Sequence, residues 1–313
     1  MITELTSTRA NLMVDPSLHI WGWEIPVYLF LGGLVAGMMA IVGWFLFADR
    51  HRKVDSVMAL LPGLGLVLLS LGMGALFLDL EHKPYVWRLY TTFQFASPMS
   101  WGAWILVAVY PALLGALLLS VPAVLRRRFP ALAACSDGLR ARPPVVRGIA
   151  AANLVLGGLL GIYTGILLSA LGARPLWNSA VLGPLFLASG LSSAAALVHM
   201  VARDRSESEL LARADNRFLQ AEMVLIALFL IGLLTATQVH IRAAGLLLGG
   251  TFTAVFWVGV VGIGIVLPLF IQSLAVSHRI RHTPVAPLLV LAGGLLLRIV
   301  IVHAGQVSRW GPV

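Results

Sequence analysis

Eight long apolar runs, separated by short polar segments, divide the 313 residues of this chain. They fall at about 25–47, 57–78, 100–122, 148–170, 180–201, 221–239, 249–276 and 286–304. A helix needs about 20 mostly apolar residues to cross a bilayer, and each run meets that length. The seventh run is the longest and must tilt or bend, with Pro268 near its end as the place to do so. The alternation of a membrane β-strand is absent, which excludes a β-barrel. The pattern predicts an all-α integral membrane protein with eight transmembrane helices, a single membrane domain over 1–313. Glycines recur at helical spacing, as Gly33-x-x-x-Gly37 in the first run and Gly157-x-x-x-Gly161-x-x-x-Gly165 in the fourth, and predict faces where helices approach closely. Asn153 continues the second stripe one turn earlier. No internal repeat is visible, and 123–147 reads as a basic connector.

Composition strengthens the membrane reading. Hydrophobic residues make up 59% of the chain and charged residues 11%, where a soluble domain carries about 25% charge. Mean hydropathy is +0.93. A net charge of +9 would suggest nucleic acid in a soluble chain. Here the basic residues lie between the apolar runs, so the charge reports topology and no nucleic-acid partner is implied. Of the 22 Lys and Arg residues, 15 fall in the loops after odd-numbered spans and 6 on the other side, with Arg298 inside the last span. The positive-inside rule then puts both termini on the periplasmic side. One cysteine, Cys135, excludes an internal disulfide, a cysteine-ligated iron–sulfur cluster and a thiolate zinc site. The polar N-terminus lacks a basic, apolar, small-residue progression, so no cleaved signal peptide is expected.

With that topology each embedded polar residue acquires a depth. Glu24 lies at the outer end of span one, in Trp21-Gly22-Trp23-Glu24-Ile25-Pro26-Val27-Tyr28. Acids near hydrocarbon are usually functional, and the aromatic residues beside it suit either an interfacial belt or the wall of an aromatic ligand pocket. Asp79 ends span two and leads into Leu80-Glu81-His82-Lys83-Pro84. Tyr163 and Thr164 occupy the outer half of span four, and Gln238 and His240 end span six. Arg298 lies in the outer half of span eight, just before His303, and needs a counter-charge or a ring of carbonyls. Glu24 and Asp79 are the acids at a compatible depth. Asn153, His199, Glu222 and Gln272 belong to the cytoplasmic half, with Glu222 near the boundary as a snorkelling or helix-start acid. The outer segment 79–99 is rich in aromatic residues, with Tyr85, Trp87, Tyr90, Phe93 and Phe95 around Arg88. Such a segment lies in the interface plane or docks a partner. Ser97 as N-cap and Pro98 at the first helical position explain the start of span three.

These segments together resemble the NrfD-like family, the membrane subunits of polysulfide, tetrathionate, sulfite and related molybdopterin oxidoreductases. The resemblance rests on Trp21-x-Trp23-x-x-x-x-Tyr28-Leu29-Phe30-x-Gly32-Gly33, on Asp79-Leu80 with Pro84 and Trp87-Arg88-Leu89, and on Ser97-Pro98-Met99-Ser100-Trp101-Gly102. It continues through Tyr163-Thr164-Gly165-x-Leu167-Leu168-Ser169, Arg174-Pro175-Leu176-Trp177-Asn178, Leu185-Phe186 and Ser189-Gly190. The ordered set covers most of the first 200 residues, and the last three spans match only in hydropathy and in Glu222 and Arg298. The resemblance implies two four-helix bundles in the bacterial inner membrane and no haem or iron–sulfur cluster in the chain. It also implies a pocket for quinone, menaquinone or ubiquinone, at the outer end of the first bundle. Glu24 and Tyr163 occupy the positions that contact the quinone head in relatives, and Trp21 and Thr164 complete the expected binding set. Some relatives carry a histidine or asparagine where this chain has Glu24.

The leading expectation is a quinone-reactive subunit that exchanges electrons with a ferredoxin-like iron–sulfur subunit and a molybdopterin catalytic subunit. Glu24, Asp79 and His82 can supply protons, and Tyr163 a hydrogen bond. Trp87 and Arg88 are the expected docking residues. Arg298, Glu222, Asn153 and His303 are candidates for an ion pair or a proton path. The glycine pairs Gly63-x-Gly65 and Gly262-x-Gly264 lack the third glycine of a dinucleotide fingerprint. A haem-bearing cytochrome b-type anchor would need deep histidine pairs, and only His240 and His303 pair across two outer ends. A secondary transporter would need a polar site at the midplane and inverted repeats. A purely structural anchor would pair Glu24 and Asp79 with Arg298.

Overall fold

A computed structural model describes residues 21–48, 55–201, 205–277 and 283–310. In chain order the helices are α1 (Glu24–Phe47), α2 (Asp55–Asp79), α3 (Arg88–Thr91), α4 (Pro98–Leu119), α5 (Ala123–Arg128) and α6 (Pro130–Arg140). They continue as α7 (Pro143–Ser169), α8 (Leu182–Val201), α9 (Arg205–Thr235), α10 (Gln238–Leu248), α11 (Leu267–Val276) and α12 (Val285–Val307). A 3-10 turn, Lys83–Tyr85, precedes α3, and a π-helical stretch, Val255–Val266, runs into α11. No strand occurs among the described residues. Eight of these segments are long and apolar enough to cross a membrane.

Helix α1 is the hub. Of its most apolar 18 residues 72% are buried, more than in any other spanning segment, and it touches α2, α7, α8 and α12. Small residues make this possible. A Cβ at Gly37 would overlap the carbonyl of Gly190 on α8, and one at Gly157 would stand 2.7 Å from the carbonyl of Ala36. At Gly165 it would overlap the carbonyl of Leu182. The stripe on α7 is therefore a packing face, as its spacing predicts. Without a hydrophobic force between helices in lipid, association draws on the van der Waals packing that such backbone approach allows, together with interhelical hydrogen bonds and lipid entropy.

The sixth and seventh spans differ from the hydropathy reading. Helix α9 starts at Arg205 instead of about 221 and ends at Thr235, and the residues after it form the separate α10. One face of its first half is buried at Leu211, Ala212, Asp215 and Leu219, while Arg213, Arg217 and Gln220 are exposed. An amphipathic stretch of this kind continues a helix at low mean hydropathy. The seventh span changes from π-helix to α-helix at Leu267, just before Pro268. The Leu267 N–H donates to the Gly262 carbonyl, five residues back, immediately before Pro268. Proline has no N–H to continue the ladder, and widening the preceding turns relieves the clash of its ring.

Two junctions are built from side chains. Ser97 stands at the N-cap of α4, followed by Pro98, but its hydroxyl makes no cap bond. Ser100, inside the first turn, instead ties the preceding segment to the helix by accepting from the Gln94 N–H at 3.0 Å. In the connector after α4, Arg126 pairs with Asp137 at 2.7 Å, and Arg140 Nε donates to the Leu119 carbonyl at 2.6 Å, closing the end of α4.

Candidate functional site

The start of α1, the end of α2, the start of α4 and the last turns of α7 converge at one end of the molecule, here the near end. Glu24 is the first residue of α1, where a negative charge suits the helix dipole. Its carboxylate folds back, so that a Cβ at Gly22 would meet Oε2 at 2.5 Å. The Glu24 charge acts on Asp79, the last residue of α2. One turn below Glu24, Tyr28 is buried and lies in the electrostatic reach of Tyr163 and Tyr90. The ring of Tyr163 rests on Gly102 of α4 so closely that any Cβ there would overlap it. Glycine at 102 is what lets the tyrosine enter. Neither the Tyr163 hydroxyl nor the Glu24 carboxylate is hydrogen-bonded to another of the described residues.

Tyr90, on α3 and outside the spans, is half-buried, and burial pushes its phenol above the ordinary range, with Tyr110 adding to the effect. It closes one side of a cavity of about 330 Å³ between the last turns of α2 and the segment that follows. His82 is exposed just beyond Asp79, at the start of the 3-10 turn.

Trp21 and Thr164 are engaged elsewhere. Trp21 stacks on Trp177 with centroids 5.2 Å apart, and its N–H and carbonyl both bond the side chain of Gln306, at 3.0 and 2.9 Å. These contacts tie the start of α1 to the end of α12. The Thr164 hydroxyl donates to the Gly161 carbonyl at 2.7 Å, and its methyl faces Gly32. Trp87 and Arg88 are exposed, with the guanidinium 4.8 Å from the Tyr85 ring centre and 5.7 Å from that of Trp87.

Arg298 corrects the sequence expectation. It does not meet Glu24 or Asp79. Fully buried on α12, it donates to Ser189 Oγ at 2.8 Å, to the Gly294 carbonyl at 2.8 Å and to the Phe186 carbonyl at 3.1 Å. The acid whose charge acts on it is the buried Glu222, which is not in direct ion-pair contact with it and whose carboxyl also engages Ser189. Because α9 begins at Arg205, Glu222 lies mid-helix and buried, not at a boundary. A Cβ at Gly33 would stand 2.8 Å from Arg298 Nη2, so this cluster abuts α1. Two turns before Glu222, Asp215 is fully buried, accepting from Ser192 at 2.6 Å and from Gln272 at 2.7 Å. Sequence reasoning missed Asp215, although its seven-residue offset from Glu222 puts both acids on one face. Asn153 Nδ2 bonds the carbonyls of Ala112 and Ile149 at 3.0 and 2.9 Å, joining α7 to α4. His303 is half-buried, and His240 shares a 2.9 Å hydrogen bond with Thr237.

Comparison with known proteins places the chain in a family. The family described as "Polysulphide reductase, NrfD" matches residues 12–308. Protein NrfD of Escherichia coli K12 is 34% identical over 307 residues, covering 92% of this chain and 96% of that protein. The C subunit of polysulfide reductase from Wolinella succinogenes is 30% identical over 312 residues, covering 92% and 94%. An NrfD homologue of Haemophilus influenzae is 31% identical over 307 residues, covering 92% and 95%. With eight apolar helices and a match over nearly its whole length, this chain is a multi-pass membrane protein and belongs to the NrfD family.

Proposed function

We propose that this protein is the quinone- or quinol-binding membrane subunit of an oxidoreductase complex. In this reading it exchanges electrons between the quinone pool and a ferredoxin-like iron–sulfur subunit, which a molybdopterin catalytic subunit serves in turn. Family membership supports a membrane anchor in a redox complex, and the Wolinella relative is by name one part of a reductase. The observation that carries the quinone reading is a pair of polar groups at the near end with no hydrogen bond to another described residue, the Glu24 carboxylate and the Tyr163 hydroxyl, with Asp79 in electrostatic reach of Glu24 and an apolar cavity along the last turns of α2.

A quinone becomes a quinol by taking two electrons and two protons, one at each carbonyl oxygen. The Tyr163 hydroxyl donates a hydrogen bond to one carbonyl, and Glu24 exchanges a proton at the other. Asp79 lies close enough to Glu24 for their charges to interact, and exposed His82 follows it toward water. The electrons come from a docked partner, since one cysteine is too few to hold a cluster. The near end then faces the periplasm of a bacterial inner membrane, and the protein serves anaerobic respiration. The spans group as two four-helix bundles, α1, α2, α4 and α7 against α8, α9, the helix over 255–276 and α12. The packing of α1 on α2 and α7, of α4 on α7, and of α8 on α9 and α12 favours this grouping, and α8 joins the two sets through α1 and α7. If turnover draws protons from the opposite face, Asp215 and Glu222 are the buried acids along that route, and Asn153 serves helix packing instead.

Two substitutions in the intact complex test the site. Glu24→Gln keeps shape and a hydrogen bond but removes the titratable proton, and quinone turnover should fall at least about tenfold, acid–base roles being typically worth about 10²–10⁴-fold, with affinity little changed. Tyr163→Phe should instead weaken quinone binding by about 1–3 kcal/mol. Parent rates in both variants, with the complex intact, would put the site elsewhere.

A further inference from the structure

We propose that the cavity between α2 and the segment after it holds the isoprenoid tail of a long-chain quinone, a reading that rests on the function just proposed. The cavity measures about 330 Å³, at the small end of ligand pockets, which run from about 300 to 1,000 Å³. Met73, Leu76 and Phe77 of α2 form one wall, and Val86 and Leu89 face them. Tyr90 supplies its one hydroxyl. A quinone head, with two carbonyls to satisfy, is poorly served by such a lining. A hydrocarbon tail is well served by it.

Its position gives the cavity two ends. At one, Gly74 is exposed on α2, and a Cβ built there would meet nothing within 4 Å. The neighbouring Leu71, Phe77 and Leu78 are exposed apolar residues on a membrane-spanning helix, so this mouth opens onto lipid. At the other, Tyr90 lines the cavity, and the Tyr28 ring packs against Gly72 of α2, where a Cβ would stand 3.9 Å from it, beside the lining Met73. A tail entering from lipid at Gly74 is thus led toward the tyrosines that meet the head. A second cavity, of about 390 Å³ between Phe93, Phe95, Trp101, Trp104 and Leu156, includes none of these tyrosines and has no such continuity.

The test uses the purified protein with whatever partners it retains, in one detergent throughout. A benzoquinone and a naphthoquinone are each titrated without a tail and with a four-isoprene tail. Gly74→Leu fills the mouth, and the open space around Gly74 together with leucine's better helix propensity keeps the fold intact. Relative to the parent, the variant should lose about tenfold or more in affinity for the tailed quinone, equivalent to losing the burial of about two methylenes. Its affinity for the tail-less quinone should stay within about twofold, which is within ordinary measurement scatter for one mouth residue far from the head. Equal losses for both ligands, no loss for the tailed one, or a parent that gains nothing from the tail would each overturn the proposal; in the last case an acyl chain of lipid is the occupant. A parent that binds none of these quinones would instead remove the quinone function itself, and the tail route with it.

Discussion

A guanidinium buried among helices has few ways to be satisfied, and Arg298 uses most of them. It reaches a hydroxyl and two carbonyls and lies within electrostatic reach of Glu222, with the rings of Phe186 and Phe30 at 5.0 and 5.7 Å from Cζ. Its Nε alone is left without a partner. Removing one member of a buried pair leaves the other charge stranded, which costs about 3–5 kcal/mol, whereas removing both can be close to neutral. Arg298→Met should therefore lower the thermal midpoint in detergent sharply, and the double variant Glu222→Gln, Arg298→Met should recover much of the loss. A double variant no more stable than the single one would mean that the pair is not coupled. The charges of this pair are legible in the sequence, but their proximity is not. Arg213, Arg217 and Gln220 lower the hydropathy of α9 just where its buried face is Leu211, Ala212, Asp215, Leu219, Glu222 and Ile226. Read by average hydropathy, that segment is a loop and Glu222 a boundary acid. Read by spacing, it is an amphipathic helix with two acids inside.

At the scale of elements, the glycines of α7 separate packing from mere flexibility. Gly157 and Gly158 are neighbours in sequence, yet a Cβ at the first would press on the Ala36 carbonyl at 2.7 Å and Met39 Cβ at 3.0 Å, while at the second it meets nothing within 4 Å. Gly157→Leu should push α7 off α1, costing at least the 1–3 kcal/mol or so typical of overpacking, and Gly158→Leu should be neutral or slightly stabilising through helix propensity. Heating both variants in detergent and following the monodisperse peak by size exclusion checks this, and equal behaviour would sink the account. The i, i+4 spacing announces this stripe because close backbone approach requires it at every turn. The π-helix over Val255–Val266 carries no such announcement. Its residues are as apolar as those of any span, and only Pro268 hints that the ladder must shift. Within that stretch Gly264 sits directly against Gly293 of α12, a long-range contact that local sequence does not announce.

The whole molecule is asymmetric between its ends, and that asymmetry guides where a partner would dock. Exposed aromatic side chains gather in the segment before α4: Tyr85, Trp87, Phe93 and Phe95 are each at least half exposed, the last at 79%. Phe93 and Phe95 lean edge-on against Trp104 and Trp101 at 5.9 and 6.2 Å, anchoring one half of the segment to α4. The other half, with Arg88 stacked between Tyr85 and Trp87, has no comparable anchor of its own among the described residues. Aromatic residues and arginine are the side chains most often found at the centre of interfaces. This half also lies directly over the cavity closed by Val86, Leu89 and Tyr90, so a subunit seated on it would sit within a few turns of the proposed quinone head. Replacing Trp87 and Arg88 together with alanine should release the electron-transferring subunit during purification in mild detergent, while the spans insert and the protein keeps its monodisperse profile. Because both side chains are exposed, the loss cannot be charged to a disrupted fold. Retention of the subunit at parental stoichiometry would show that the segment rests in the membrane interface, and that electrons reach the site from another face.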